Sequence, residues 1–180
     1  MRRTMPDHAP LQLEHFLPYR LSILSNTVSQ AIAREYQQRF HLGMTEWRVL
    51  AVLARYDGAG LSARELAVRT ATDKVAISRA LARLIASGRV LRRMHHGDKR
   101  RSVLRLSAKG WAIHDVVAPR ARAHERELLA HLDADERACL TRILDKLLGS
   151  VPGAIATAPE PLISARGVRP PVTAPSRMRG

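Results

Sequence analysis

A short helix closing at Ser87-Gly88 is followed at once by two candidate strands, Val90–Met94 and Ser102–Leu106, joined by a tip loaded with cations. That succession confines the chain to a mainly α fold with a small β-hairpin. It is also the order of parts needed to read one DNA groove and brace in the next. Residues 89–105 hold Arg89, Arg92, Arg93, Lys99, Arg100, Arg101 and Arg105 against Asp98 alone. A charge run is most often a solvated face. Placed beside a candidate recognition helix, this one points to phosphate contact.

The rest of the chain frames that hairpin with helices. Leu21, Leu24, Val28, Ala31 and Ile32 recur at helical spacing, which predicts a first helix from about Phe16 to Phe40 with Pro18 in its first turn. Thr45 is the expected N-cap of a second helix to about Tyr56, whose unbroken apolar run Val49–Ala54 implies burial on nearly all sides. Ser62-Ala-Arg-Glu65 has capping-box spacing and starts a short third helix to about Arg69. Thr70-Ala-Thr72 breaks it, and a fourth helix runs from near Asp73 to Gly88, so that two short helices flank a tight turn. Gly97 suits the hairpin tip because it tolerates a positive φ. Ser107 caps a long helix to about Leu132, with a kink expected at Pro119. Asp133-Ala-Asp-Glu136 opens the last helix, with Leu140, Ile143, Leu144, Leu147 and Leu148 in one row and Gly149 as its stop.

The fourth helix carries the most specific pattern. At 100° per residue, Ile77, Leu81, Leu84 and Ile85 share one face, leaving Val75, Arg79, Ala82, Arg83 and Ala86 opposite. Small residues interleaved with arginine suit a major groove. Arg79 and Arg83 can meet guanine O6 and N7 or a phosphate, and Val75 can touch a thymine methyl. Thr72, Lys74 and Ser78 stand at the end where the helix dipole favours phosphate. In isolation, Arg79 and Arg83 are equally well read as a solvated i, i+4 row. The neighbouring basic hairpin favours DNA.

Asp98-x-Arg100, followed by Leu106-Ser107-x-Lys109-Gly110, resembles the wing signature of the MarR family of winged helix-turn-helix transcription regulators. Glu46-Trp47-Arg48-Val49-Leu50 and Leu132-Asp-Ala-Asp-Glu136 are similar to further patterns of that family. The resemblance runs from about Leu11 to Leu148, and only the wing part is specific. It implies a homodimer on a pseudo-palindromic operator in double-stranded DNA, with the first and last two helices interlocking between subunits. It also implies that Arg100 enters the minor groove, where a narrow A/T-rich tract favours an inserted arginine, and that Asp98 braces the wing through a nearby arginine. Arg92, Arg93, Lys99 and Arg101 are expected at phosphates. Members of the family often bind small anionic aromatic ligands in a crevice between the dimer helices and the DNA-binding lobe. The residues suggested for such a crevice are His15, Arg20, Trp47 and His114, with Arg20 facing a carboxylate. Core filling by Trp47 and an ion pair of Arg20 are the plainer readings.

On this basis the expected units are a flexible stretch 1–10, a winged-helix unit 11–149, and a disordered tail 150–180 rich in Pro and Arg. Within the unit, the DNA-binding lobe spans about 45–107 and the dimerisation helices about 16–40 and 107–149. The 180 residues are 46% apolar, enough for one core, and carry a net charge of +14 that predicts an acidic partner. Nothing approaches the roughly 20 apolar residues needed to span a bilayer, so a cytoplasmic protein without membrane attachment is expected. The lone Cys139 fits a reducing compartment and reads as inert filler. His114, His124 and His131 are too far apart along one helix to share a zinc, so no metal or cofactor is expected. No nucleophile triad, nucleotide loop or carboxylate pair supports an enzyme. The function implied is a transcriptional regulator, more readily a repressor. The rival reading is a sequence-nonspecific architectural or RNA-binding protein using the same basic wing.

Overall fold

The computed structural model describes residues 10–95 and 98–150, apart from the side chains of Glu35, Met94, His95 and residues 98–101. The expectations for residues 1–9, for Gly97 and for the tail 151–180 lie outside the described residues. Six helices and one hairpin follow in the order α1 (Leu17–Phe40), α2 (Met44–Arg55), α3 (Ala63–Arg69), α4 (Lys74–Ala86), β1 (Val90–His95), β2 (Asp98–Leu106), α5 (Ala108–Leu129) and α6 (Ala134–Ser150). The architecture is therefore mainly α with a small antiparallel β-hairpin, as the sequence indicates.

Local chemistry sets the boundaries. Ser62 accepts the Glu65 N–H while Glu65 takes the Ser62 N–H, completing the capping box of α3. Asp73 caps α4 and Ser107 caps α5. Thr45 is not the cap of α2. The cap is Gly43, whose N–H donates to Glu46 from the third helical position, and this draws the helix start back to Met44. The fifth helix continues as one element through Pro119 and ends at Leu129, short of the expected Leu132. The last helix is described through Ser150, past the expected stop at Gly149.

The core lies between α2, α3, α4, the hairpin and the facing parts of α1 and α5. Leu50, Leu53, Leu66, Ile77, Leu84, Val90 and Leu104 are sealed from solvent, joined by Ile113 and Val117 of α5 and Tyr36 of α1. Burying each such aliphatic side chain contributes roughly 1.5–3 kcal/mol. In α4 the inward row is Ile77, Ala80, Leu81 and Leu84. Ile85 is exposed rather than buried, because it lies about a quarter turn from the centre of that row at 100° per residue.

The hairpin is locked to the helices at its root. Val90 pairs with Leu106, Arg92 with Leu104 and Arg93 with Val103, and an irregularity interrupts the ladder between Met94 and His95. Leu61 adds a third strand-like bridge through reciprocal bonds with Leu104. Gly60, which leads into that bridge, has φ +68° and sits so close to Val103 that a Cβ would be 2.3 Å from its Cγ1. At the other side, the Ser107 hydroxyl meets the Gly88 and Arg89 carbonyls, and Arg89 donates through Nη2 to the Phe40 carbonyl at the end of α1. The wing cannot swing without disturbing α1 and α5.

Candidate nucleic-acid interface

The turn between α3 and α4 is tight and held by its own backbone. Thr70 N–H closes on Leu66, Ala71 adopts φ 47°, and Thr72 N–H reaches the Ala67 carbonyl. The Thr72 hydroxyl donates to the Thr70 carbonyl. Ala67 and Leu66 are buried beneath this turn, so α4 is presented at a fixed attitude to α3.

On α4, Lys74, Val75, Ser78, Arg79, Ala82, Arg83 and Ala86 are all exposed, and Thr72 is half-buried at its entrance. Val75 is 59% exposed and stands in the first turn of α4 between Lys74 and Ser78, an apolar contact point among polar neighbours. The N-terminal end of α4 differs from the expectation of a free phosphate cradle. Asp73 Oδ1 accepts from the N–H groups of both Val75 and Ala76 at 2.9 Å. Two of the donors that a phosphate would use are therefore taken by the protein's own carboxylate, leaving Lys74 and Ser78 as the polar groups that project freely there.

Arg79 and Arg83 also differ from each other. Arg79 makes no ion pair among the described residues. Arg83 donates through Nε to Glu46 Oε1 at 2.6 Å, which ties the exposed face of α4 to the first turn of α2. Nothing in the sequence pattern singles out Glu46, since its partner lies 37 residues away and only the fold brings them together. The hint available was a glutamate three residues after Gly43, the spacing at which a helix-start glutamate reaches back to the cap N–H.

Arg92 and Arg93 are exposed on β1, alternating across the hairpin beside α4. Arg105 is turned back to the Gly58 carbonyl at 2.9 Å, and Arg89 is committed to Phe40. Asp98, Lys99, Arg100 and Arg101 fall within β2, but their side chains lie outside the described residues, and so do the roles expected of them. The described cations exposed on α4 and β1 are therefore Lys74, Arg79 and the Glu46-paired Arg83 on the helix, with Arg92 and Arg93 on the wing.

A second cluster lies where α1, α2 and α5 meet. The Trp47 ring stacks on Tyr36 at 5.9 Å and on His114 at 6.1 Å, while Trp111 meets His114 edge-on at 5.3 Å. His114 Nδ1 lies 3.2 Å from Asp115. Tyr36 is buried, and burial pushes its phenol above the ordinary 10.0, opposed by the nearby Arg48 cation. The structure thus unites Trp47 and His114, two of the suggested crevice residues. His15 and Arg20 are exposed near the start of α1, and no hydrogen bond, ion pair or ring contact joins them to this cluster. Tyr36 and Trp111 are members that sequence reasoning did not name, and Arg48 entered it only within the family pattern around Trp47.

No described helix is long and apolar enough to cross a membrane. Residues 42–101 match the family model of the MarR family. The chain is similar to the HTH-type transcriptional repressor NicR of Pseudomonas putida, 27% identical over 154 residues, covering 83% of this chain and 96% of that protein. It is similar in structure to a MarR-family transcriptional regulator from Silicibacter pomeroyi, with 28% identity and a TM-score of 0.68, covering 78% of this chain and 92% of that one. The fold is shared with S. aureus MepR in its DNA complex, with 20% identity and a TM-score of 0.69, covering 76% of this chain and 97% of that one.

Proposed function

Because this chain belongs to the MarR family of winged helix-turn-helix transcriptional regulators, we propose that it is a homodimeric repressor that occupies a pseudo-palindromic DNA operator and is released by a small aromatic acid. The observation that carries the DNA reading is the exposed face of α4, where Val75 and Arg79 stand clear of the core beside the outward Arg92 and Arg93 of the wing. In this reading Val75, Arg79 and Arg83 meet base edges, while Thr72, Lys74, Ser78, Arg92, Arg93, Lys99 and Arg101 meet phosphates. Arg100 enters the minor groove and Asp98 braces it.

Repression is favoured by the likeness to a protein named as a repressor, which matches this chain over nearly its whole length. A homodimer is favoured by α6, none of whose residues is buried although Leu140, Ile143, Leu144, Leu147 and Leu148 form an apolar row. Two-fold symmetry then sets the recognition helices about 34–36 Å apart, or a multiple of that, along the duplex. The aromatic acid is favoured by the half-buried rings of Trp47, His114 and Trp111, which gather near the Arg48 cation at the junction of the proposed dimer helices with the DNA-binding lobe. A ligand held more tightly when the recognition helices are misplaced must lower DNA affinity by linkage. In this reading the protein acts on promoter DNA in the cytoplasm, as a regulator rather than an enzyme.

Selecting genomic fragments with purified protein tests the reading directly. A palindromic footprint bound at least about a thousandfold tighter than random duplex is expected of a specific regulator. Uniform affinity for all fragments, with only a steep salt dependence, would instead support the nonspecific architectural protein. Titrating the operator complex with a panel of benzoates should release DNA and quench Trp47 and Trp111. If no benzoate does either, the effector part of the proposal fails.

A further inference from the structure

Glu46 is only 5% exposed, and among the described residues it is the charged side chain enclosed to that degree. It is held from two sides. Oε2 accepts the Gly43 N–H at the start of α2, and Oε1 accepts Nε of Arg83 at 2.6 Å. The Arg83 side chain nevertheless stays 62% exposed on the outer part of α4. Its Nε edge is thus engaged inward, while its Nη groups make no hydrogen bond among the described residues. A carboxylate fixed in the first turn of α2 grips a guanidinium that belongs to the recognition helix.

The electrical consequence separates Arg83 from Arg79. Sequence-independent affinity for DNA comes from counterions released when free cations neutralise phosphates. Arg79 brings a full charge to that process. Arg83 arrives already neutralised, and swinging away to follow a phosphate would leave a buried carboxylate without its cation, which is strongly unfavourable. Its remaining donors are also fixed in direction by the bond at Nε. A neutralised, immobile guanidinium gains from a matching group at one position and little from phosphates in general.

We propose that Glu46 is a specificity-determining residue of the DNA-binding surface, which neutralises and positions Arg83 so that this arginine supports binding to the operator but not to DNA at large. The inference rests on the reading of α4 as the recognition helix. It assigns a role in DNA discrimination to a residue that does not itself reach the DNA.

Salt titrations of binding to random duplex and to the selected operator provide the test, using the full-length protein and the variants Glu46→Gln, Arg83→Met, Arg79→Met and Glu46→Gln/Arg83→Met. Glutamine can still accept the Gly43 N–H, so the start of α2 is retained while the charge is removed. On random DNA, Glu46→Gln should steepen the plot of log K against log salt by about 0.9 per subunit, the value for one additional phosphate contact. Its operator-to-random ratio should fall by about tenfold, the scale of one lost base contact. Arg83→Met should leave the random-DNA slope at the wild-type value while weakening the operator complex. Arg79→Met should lower that slope by about 0.9 per subunit. The double variant should restore the wild-type slope, which a merely structural role for Glu46 would not produce. If Arg83→Met lowers the slope as much as Arg79→Met, or if Glu46→Gln changes neither slope nor ratio while Arg79→Met does, the proposal is overturned and the recognition-helix reading stands. If Arg79→Met also has no effect on any DNA, α4 is not on the duplex and both readings fall together.

Discussion

Tyr36 shows how a single side chain couples burial to pH. Its ring is sealed between α1 and Trp47, and burial favours the neutral phenol, raising its titration above 10.0 against the pull of Arg48. The raised group contributes stability that is fully present below 10.0, where phenol is protonated in both states. That contribution is lost as pH rises toward the folded-state value, because the unfolded chain releases its proton first. Urea midpoints should therefore decline above pH 10, the unfolded-state value, and Tyr36→Phe should flatten the part of that decline that wild type shows in excess. Identical pH profiles for the two proteins would remove Tyr36 as the cause. Individual residues were legible in the sequence where their role is local. Val75 and Arg79 project from α4 as the 100° rule requires, and Ser62 and Glu65 close the capping box that their spacing announces. The partner of Arg83 was not legible, because Glu46 reaches it only through packing between α2 and α4, which no spacing along the chain encodes, whereas Trp47 and His114 were brought together only by the family resemblance.

Elements carry the next kind of constraint, and the entrances to α4 and α5 are the informative ones. Asp73 satisfies two N–H groups at the start of α4, so Asp73→Ala should destabilise the protein by about 1 kcal/mol. Asp73→Asn should keep the cap, because asparagine is an equally good capping residue. If the proposed α4 interface is right, Asp73→Asn also removes an anion from its edge, so DNA affinity measured at fixed salt should rise; a fall would show that the carboxylate itself orients a DNA contact. At α5 the constraint is steric. A Cβ on Gly110 would lie 2.2 Å from the Arg89 carbonyl oxygen, at the point where Ser107 fastens the wing root to the helix. Gly110→Ala should consequently cost roughly 1–3 kcal/mol as an overpacking change, visible as a lowered melting temperature, and a neutral result would mean that α5 moves away from β1 without penalty. Helices were readable from periodicity because each buries one stripe on a common core. Their ends were less readable, as at Gly43, where the cap depends on a glutamate reaching backward rather than on the identity of the capping residue.

At the scale of the whole molecule, two apolar surfaces are left uncovered by the rest of the described residues, and the proposed homodimer would cover both. Leu17, Tyr19, Leu21, Ile23 and Leu24 in the first half of α1 are exposed, and α6 buries nothing, although the second half of α1 and the first half of α5 are anchored in the core. A helix with a continuous apolar row and no intramolecular cover gains its stability from association, which for a stable dimer means burying on the order of 1,600 Å² in total. The separation of this surface from the core permits a clean test. Leu144 lies outside the network formed by Leu50, Leu53, Leu66 and Leu84, so Leu144→Glu should leave the DNA-binding lobe folded while placing a charge in the seam of the proposed homodimer. Sedimentation should shift from twice the 20.0 kDa chain mass to the single chain. Operator affinity should then drop by about 10²–10⁴-fold, because each half-site would have to be bound without the effective concentration supplied by its tethered twin. Random-DNA affinity per subunit should change far less, since that term depends on the cations of α4 and the wing, which the substitution leaves in place. A variant that stays dimeric, or a monomer that keeps the full operator affinity, would show that the apolar row of α6 serves something other than pairing the two recognition helices.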